Sequence, residues 1–436
     1  MKLNNLLWLS LILVCSGCQN KGSNKLSDTE ILHQNQDKLT RVIIYDVFTP
    51  PVASRIYAYS SLASYEAMRF EKPGSASIAA KLNGYVIMPE PEKGKDYNFT
   101  LAATQAFFTV VHKVVFSIDS LKSHEAKVYG QFKNTLSEDT YNRSVAFGDS
   151  IGKKILAMAA KDGYFKSRSK AKFLGNQKPG QWRPTPPDYM DGVEWCWGTM
   201  KPLILDSATL AQDLPPPPQY NLDVKSEYYR EVQNLYKLTN NLTQEQKDIA
   251  RYWDDNPFVM EHSGHMSFAN KKITPGGHWM GIAAIASRNS KSDAIITAKA
   301  YAVTAVAMYD AFICCWSLKY KHNTIRPITV INESIDNKWQ PMLQTPPFPE
   351  YPSGHSTITR AAATVLTKMF GDNFRFEDTS DFEYIGMKRK FKSFVQAADE
   401  ASISRVYGGI HYRFSVDEGV KEGKKVGEKV VEKLDL

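Results

Sequence analysis

Three short stretches in the second half of the chain carry the residues best suited to chemistry. The first is "YPSGHS", in which Ser353, Gly354 and His355 follow Pro352 and precede an apolar run. Proline cannot continue a helix and serine is a good N-cap, so the pattern predicts that a helix begins at Ser353. Unpaired N–H groups and the positive end of the helix dipole would then face an anion. A capped helix with a surface histidine is the alternative, which this stretch alone does not exclude.

The other two stretches add positive charge. "KYKHNTIRP" places Lys319 and Arg326 seven residues apart, and "SRVYGGIHYRF" holds Arg405 and His411 on either side of a Gly-Gly pair. Each arginine offers a planar fork for two hydrogen bonds, and the lysine offers a point charge. Singly, these residues would be surface charges and turns. Together they suit a tetrahedral oxyanion of the phosphate type, with one histidine as ligand or nucleophile and the other as general acid or base.

The elements that must position these stretches have helical spacing of apolar residues. The run over residues 357–369 ends at Gly371, and a long apolar run, "SDAIITAKAYAVTAVAMYDAFICCW", leads to Lys319. Further helices are expected near residues 384–405 and 416–434. The first half contains "PVASRIYAYSSLASYEAM", "TLAATQAFFTVVHKVVF" and "SVAFGDSIGKKILAMAAKDG". No convincing run of alternating strand residues occurs, so the sequence predicts an all-α fold of two packed helical bundles.

A long Pro/Trp-rich connection separates the two expected halves. Residues 164–219 include "KPGQWRPTPPDYMDGVEWCWGTMKPLIL" and "LPPPPQY", which show no sustained period. We therefore expect an N-terminal helical half over residues 39–219 and a C-terminal helical bundle over residues 220–436, which carries the anion site. The 43% hydrophobic and 12% aromatic content indicates a globular protein. The formal charge of +8 is modest and forms no basic block, which argues against nucleic acid as a partner.

The N-terminus has the pattern of a targeting segment. Lys2 precedes an apolar run that is too short to span a membrane permanently, and "CSGC" resembles a bacterial lipobox. We expect a signal peptide over residues 1–17, lipidation of Cys18, and a lipidated tether over residues 18–38. A plain secretory signal is the alternative. The body would then be water-soluble and attached to the bacterial cell envelope by its lipid, at the outer membrane or the periplasmic face.

The remaining cysteines and a histidine-rich stretch have structural interpretations. Cys196, Cys314 and Cys315 do not form a disulfide framework, and we expect them to be small buried residues. "EHSGHMSFANKKITPGGHW" contains three histidines, His262, His265 and His278. The spacing of His262 and His265 is possible for a zinc site, but no third ligand is spaced convincingly. We expect structural or pocket-rim roles for these histidines.

The three polar stretches together resemble the motifs shared by vanadium-dependent haloperoxidases and type 2 phosphatidic acid phosphatases. The matching patterns are Lys319-x6-Arg326-Pro327, Pro352-Ser353-Gly354-His355 and Ser404-Arg405-x5-His411. Weaker similarity to the haloperoxidase branch includes "YDVFTPPVASRIYAYSSLASYEAM", "WGTMKPLIL" and "PGGHWMGIAAIA". The family fold is all-α with two helical bundles, in agreement with the independent prediction.

The resemblance implies a cofactor and a role for each matching residue. The cofactor would be vanadate, with His411 bonded to vanadium and His355 as the acid/base that handles peroxide protons. The vanadate oxygens would be held by Lys319, Arg326, Ser353, Gly354 and Arg405. Trp316 and Phe348 fall where aromatic residues line the halide site. Hydrogen peroxide and halide would be the substrates, Lys319 would polarise the peroxide, and the hypohalous acid formed would react with a small organic acceptor.

The resemblance leaves an acid phosphatase as the second reading. His411 would then attack phosphorus and His355 would protonate the leaving group. The phosphatase pattern expects an aspartate four residues after His411, where this chain has Ser415, and the nearest carboxylate along the chain is Asp417. Asp254 or Asp255 is an alternative carboxylate to orient either histidine. A third reading is a lipid-anchored binding protein with a relict anion site, which the complete set of polar residues argues against.

Overall fold

The computed structural model of the protein describes residues 26–206, 214–257, 259–263, 266–269 and 271–436. The expected signal peptide and Cys18 lie outside these ranges, as does His265. Helices dominate the described first half. They are α1 (Asp28–Tyr45), α2 (Pro50–Met68), α3 (Phe99–Val114), α4 (Lys122–Lys133), α5 (Glu138–Ala159) and α6 (Tyr164–Arg168), with 3-10 turns at Arg69–Glu71, Ala79–Lys81, Ile118–Leu121 and Trp197–Thr199.

Helices also form most of the second half, with two short antiparallel strand pairs among them. The helices are α7 (Glu227–Thr239), α8 (Gln244–Tyr252), α9 (Pro275–Asn289), α10 (Ala294–His322), α11 (Pro327–Ser334), α12 (Gly354–Phe370), α13 (Phe382–Ile385), α14 (Phe394–Tyr407) and α15 (Arg413–Leu434). Strand β1 (Met260–Ser263) pairs antiparallel with β2 (Met266–Ala269), and β3 (Phe376–Asp378) pairs antiparallel with β4 (Arg389–Phe391). The all-α prediction is confirmed.

The structure differs from the sequence expectations at two places. Residues 28–38 are not a tether but part of α1, because Ser27 caps that helix and Ile31, Leu32 and Leu39 are buried against the core. The helix expected over residues 384–405 is split into α13, β4 and α14. Gly386 has a φ of 68° and ends α13, so the chain can turn back to pair with β3.

Helix α10 forms the centre of the protein. It packs against α2, α9, α12 and α15. Its length and hydropathy would suit a membrane span, the single such case among the described helices, but almost all of it is buried inside the protein. The division into halves at residue 219 stays a prediction, since α2 and α10 come from different halves and pack directly against each other.

The Pro/Trp-rich connection is fastened to α10 by a buried carboxylate. Asp310 of α10 accepts hydrogen bonds from the backbone N–H groups of Leu203, Ile204 and Leu205 at 2.7–2.9 Å. Trp182 and Trp197 are fully buried, as expected for aromatic side chains of an ordered connection. The connection also holds the C-terminal end of α10, where Lys319 lies, because the backbone N–H of Trp182 donates to the Asn323 carbonyl at 2.8 Å.

Small residues allow α15 to pack closely on α12. Gly419, Gly423 and Gly427 lie one helical turn apart on α15 and face residues 353–364. A Cβ at Gly419 would lie 2.8 Å from the carbonyl oxygen of Ser353, and a Cβ at Gly427 would lie 2.5 Å from the Cβ of Thr364. The absence of these side chains sets the position of the N-terminal end of α12.

Candidate active site

The N-terminal end of α12 is the first component of the site. Ser353 is the N-cap, as predicted, and its hydroxyl oxygen accepts a hydrogen bond from the backbone N–H of Ser356 at 3.4 Å. The Ser356 hydroxyl lies 2.9 Å from the same oxygen, and the Ser353 N–H donates to the Ser415 carbonyl at 3.0 Å. Ser353 and Gly354 are buried, and the helix dipole makes this end positive.

Three cations from three helices surround that end. Lys319 is in the last turn of α10, Arg326 is the residue before α11, and Arg405 is in the last turn of α14. All three are buried. Burial lowers the pKa of Lys319 and of Arg405, and it lowers the pKa of Arg326 to about 10. Such desolvated cations lose water and therefore gain most from a bound anion.

Main-chain carbonyls hold these cations in place. Lys319 Nζ donates to the carbonyls of Pro349, Glu350 and Pro352 at 2.9, 3.0 and 2.5 Å. Arg326 donates through Nε to the Phe348 carbonyl and through Nη1 to the Ile410 carbonyl, both at 2.8 Å. Arg405 donates through Nη2 to the Trp253 carbonyl. The three N–H groups of Lys319 are thus occupied, and its contribution to the site is its charge.

His411 is oriented by a carboxylate that sequence reasoning missed. Its Nδ1 lies 2.8 Å from Oε1 of Glu350, which also accepts the Tyr412 N–H at 3.2 Å. The other ring nitrogen, Nε2, lies 3.3 Å from Arg326 Nη1. Burial, with Arg326 and Lys319 nearby, lowers the pKa of His411 well below its usual value. A neutral ring with its proton on Nδ1 has its lone pair on Nε2, the form that a metal ligand requires.

Glu350 takes the place of the aspartate that the phosphatase pattern expects at position 415. Ser415 Oγ is 3.5 Å from His411 Nδ1, so the hydroxyl is near the ring but further away than the carboxylate. Glu350 is fully buried, which raises the pKa of its carboxyl group, while Arg326 and Lys319 oppose that effect. The sequence did contain a signal for Glu350, because this carboxylate lies within the "FPEYPSGH" stretch that also holds Ser353, Gly354 and His355.

His355 lies at the opposite side of the site and has a different carboxylate neighbour. Its Nε2 is 3.8 Å from Oδ2 of Asp255, and burial together with Arg405 lowers the pKa of His355 well below its usual value. Of the two aspartates considered from the sequence, the structure therefore brings Asp255 to this histidine. Asp254 instead pairs with Lys272 at 2.5 Å.

An apolar cavity of about 30 Å³ opens between the two histidines. Trp316 and Phe348 form one wall, with ring centroids 5.0 Å apart. The Trp316 indole N–H donates to the Val193 carbonyl at 3.1 Å, so it is not directed into the cavity. Pro50, Pro275, Phe312 and Ile410 complete the lining with His355, His411 and Gly354. Of the predicted site residues, five line the cavity, and Lys319 and Arg326 lie over the Phe348 ring.

The residues present fit a tetrahedral oxyanion such as vanadate. Arg326 Nη2 and His355 Nε2 are buried and have no hydrogen-bond partner among the described residues. A Cβ at Gly354 would lie 3.6 Å from the Trp316 ring and 3.8 Å from Lys319 Cε, so a larger residue would fill the space beside the cations. A free guanidinium N–H group, a helix N-terminus and a neutral imidazole make a set of groups suited to a metal oxyanion.

Comparison with known proteins gives the same result from independent observations. Residues 299–435 match the family model described as the VCPO second helical-bundle domain. The chain is similar to a solved structure of the first bacterial vanadium-dependent iodoperoxidase, with 44% identity and a TM-score of 0.87 over 93% of this chain and 96% of that one. No match is found among curated proteins.

More distant structures share the fold. A bacterial vanadium-dependent chloroperoxidase in its holo form has a TM-score of 0.68 and 16% identity, over 89% of this chain and 93% of that one. Its apo form gives 0.69 and 15%, over 89% and 94%. Because the similarity to the iodoperoxidase extends over nearly the whole of both chains, the protein belongs to the vanadium-dependent haloperoxidases, whose cofactor is vanadate.

Proposed function

We propose that this enzyme oxidises halide with hydrogen peroxide to hypohalous acid, at vanadate held between His411 and the N-terminal end of α12. The observation that carries the proposal is the buried His411 ring, which has its Nδ1 on Glu350 and its Nε2 beside a guanidinium with an unpartnered N–H group. When bound, vanadate supplies a Lewis acid that activates hydrogen peroxide.

Each residue has a separate task in binding. His411 would offer the Nε2 lone pair to vanadium, while Glu350, 2.8 Å from Nδ1, would keep the proton on that nitrogen. Arg326 Nη2 and the Gly354 N–H are placed to donate to oxygens, with Ser353 and Arg405 beside them. Lys319 adds charge through Nζ, which lies 5.1 Å from the Phe348 ring. Because these groups are held by the protein before the anion arrives, little reorganisation is needed on binding.

His355 handles the proton. Its neutral ring can accept a proton at Nε2 when hydrogen peroxide enters, and it can return that proton to the departing water. The Asp255 carboxylate, 3.8 Å away, stabilises the imidazolium formed in between. Apolar residues line the cavity beside this ring.

We propose iodide as the preferred halide, as in the iodoperoxidase with 44% identity. Iodide loses its hydration shell at less cost than smaller halides, which suits the apolar lining of the cavity. The hypohalous acid formed would then react with a small organic acceptor.

The test is a halide-oxidation assay on vanadate-reconstituted protein with iodide, bromide and chloride in parallel. We expect iodide oxidation that requires both vanadate and hydrogen peroxide and is lost in His411→Ala. Since Glu350 supplies the carboxylate missing at position 415, a phosphate-ester assay is run on vanadate-free protein. Ester hydrolysis without halide oxidation would overturn the proposal in favour of a phosphatase.

We also propose that Cys18 carries lipid and anchors the enzyme to the bacterial cell envelope. The short apolar segment followed by "CSGC" supports this proposal. Cys18→Ser should release the protein from the membrane fraction with unchanged halide oxidation per molecule. Membrane association that persists in this variant would contradict the lipid anchor.

A further inference from the structure

Behind the active site, a fully buried histidine joins two carboxylates. His278, in the first turn of α9, has its Nδ1 3.0 Å from Oδ1 of Asp255 and its Nε2 3.0 Å from Oδ2 of Asp378. All three side chains are at most 1% exposed. We refer to Asp255, His278 and Asp378 as the His278 bridge. It connects the turn after α8, the start of α9 and the end of β3.

Both ring nitrogens of His278 face carboxylate oxygens at 3.0 Å, an arrangement that suits a doubly protonated ring. A neutral imidazole has one N–H group, so one nitrogen lone pair would face a carboxylate oxygen at 3.0 Å, which is repulsive. Burial alone lowers the pKa of His278, but the Asp255 and Asp378 carboxylates raise it well above its usual value. Burial opposes ionisation of Asp378, but the charge of His278, together with hydrogen bonds from the Ser380 N–H and hydroxyl to Oδ1, lowers the pKa of Asp378.

The surroundings of the bridge fix the ring from other directions. The Trp253 indole stacks on His278, with ring centroids 4.5 Å apart and an interplanar angle of 19°. A cation over an aromatic face is attracted to it. Asp381 is a third buried acid near the ring, and burial raises the pKa of its carboxyl group. Tyr252 donates to the Asp378 carbonyl at 3.2 Å.

The bridge reaches the active site through Asp255. One oxygen of this carboxylate is taken by His278, which turns the other, Oδ2, towards His355 Nε2 at 3.8 Å. Oδ2 accepts no hydrogen bond within the described part of the chain. Without the imidazolium, Asp255 would lose its hydrogen-bond partner among the described residues and keep only the nearby charge of Arg405, so it could turn away from His355.

We propose that His278 is a positioning residue for His355: as an imidazolium held between two carboxylates, it fixes Asp255 opposite the acid/base ring. The inference rests on the proposed role of His355 as the group that moves the proton. His278 touches neither halide nor vanadate, and it acts through Asp255. This role goes beyond the pocket-rim or structural role that the sequence gives for this histidine.

The kinetic test uses two variants, His278→Gln and Asp378→Asn. Both should lower kcat for iodide oxidation about 10-fold or more, since small misplacements of a catalytic group have effects of this size. The KM for iodide and the affinity for vanadate should change less than about 3-fold, because the vanadate-binding side chains are retained and the carbonyl of Trp253 still holds Arg405. If His278→Gln fails to fold, Asp378→Asn, which keeps the shape of the side chain, still provides the test.

A matched control separates positioning from loss of stability. Asp162 is also a buried carboxylate in an ion pair, with Arg55 at 2.6 Å, in the first half of the chain. Asp162→Asn should lower the melting temperature to an extent similar to Asp378→Asn and leave kcat unchanged. If kcat falls in proportion to the loss of melting temperature in all three variants, including Asp162→Asn, the positioning role is overturned.

A double-mutant cycle shows whether the effect passes through His355. In a His355→Ala background, His278→Gln should lower the residual rate less than about 2-fold, because the group it positions is gone. A full additional loss there, or wild-type kcat in folded His278→Gln and Asp378→Asn, would overturn the inference alone. A wild-type enzyme that oxidises no halide would overturn the proposed function together with it.

The charge of His278 can be read directly in the full-length enzyme. With ¹⁵N-labelled histidine, one ring should remain doubly protonated at about pH 8.5, where an ordinary histidine is neutral. Its signal should be absent in His278→Gln, or shifted in Asp378→Asn. A spectrum without a doubly protonated ring at this pH would contradict the bridge.

Discussion

At the residue scale, Glu350 and His411 form the pair on which vanadate binding depends most. Both are buried, and the carboxylate accepts from Nδ1 at 2.8 Å, which leaves Nε2 for the metal. Glu350 also has a second effect, because its negative charge lies among the cations of an anion site. Removal of the Glu350 carboxylate should therefore weaken the binding of a ligand that bonds to His411, but not the binding of an anion that makes no such bond.

Glu350→Ala should weaken vanadate binding about 10- to 100-fold, the range seen when a group that orients a metal-binding histidine is removed. Inorganic phosphate needs no bond to histidine, so its binding should be unchanged or tighter. Equilibrium dialysis with each anion measures both effects. Glu350→Gln, which keeps an acceptor for Nδ1–H, should lose less vanadate affinity than Glu350→Ala. Equal losses for vanadate and phosphate would contradict the tautomer argument.

The two active-site histidines should differ in what their removal takes away. His411→Ala should lose the vanadium–nitrogen bond and nearly all halide oxidation. His355→Ala should retain bound vanadate and slow the reaction about 10²- to 10⁴-fold, as expected for a general acid or base. X-ray absorption at the vanadium edge, measured beside oxidation rates, distinguishes the two. A nitrogen ligand that disappears with His355 and remains without His411 would reverse the assignment.

At the element scale, the contact between α12 and α15 sets the position of Ser353 and Gly354. Gly423 faces the Thr357 carbonyl so closely that a Cβ could not be placed there without moving one helix. The neighbouring Gly419 faces the Ser353 carbonyl in the same way. A displacement of α12 along this contact would carry its N-terminal end away from Arg326 and Lys319.

Gly423→Ala should therefore lower the free energy of unfolding by about 1–3 kcal/mol, the usual cost of overpacking, and also weaken vanadate binding. Thermal unfolding and equilibrium dialysis measure the two effects. Gly130→Ala on α4 is the control, because nothing lies within 4 Å of its Cβ position. That variant should stabilise the protein by about 0.5–1 kcal/mol. A neutral result for Gly423→Ala would show that the helices can separate at no cost.

At the scale of the whole molecule, α1 is joined to the central helix α10 by a buried histidine. His33 Nδ1 lies 2.6 Å from the Tyr301 hydroxyl, and burial lowers the pKa of His33 to about 3. The ring is neutral in the folded protein but becomes protonated in the unfolded chain below its ordinary pKa of 6.5. A pKa that is lower in the folded state gives stability above pH 6.5, which is lost as the pH falls towards 3.

The difference in unfolding free energy between wild type and His33→Asn should therefore shrink between pH 7 and pH 5, by about 2 kcal/mol. Denaturant unfolding at both pH values measures it. The pKa values of His355 and His411 are also lowered, but those groups are common to both proteins and cancel in the difference. A constant difference would mean that His33 is not buried in its neutral form.

Local patterns in the sequence were sufficient for the site's components. Ser353 is the N-cap of α12, as its local pattern predicted, because such a signal acts within one helical turn. Each of the three motifs is likewise a short stretch, so its residues can be recognised from their spacing along the chain. Apolar periodicity likewise predicted the all-α fold, since each helix has to bury one face.

Tertiary structure decided which groups face each other across the site. Glu350 and His411 are 61 residues apart, and His278 and Asp378 are 100 residues apart. No spacing rule predicts such contacts, because they depend on how α9, α12 and β3 pack rather than on the twist of one helix. The sequence by itself therefore determined the chemistry available to the protein. The packing of its helices determined which carboxylate serves each histidine, because only packing brings distant side chains within hydrogen-bonding distance.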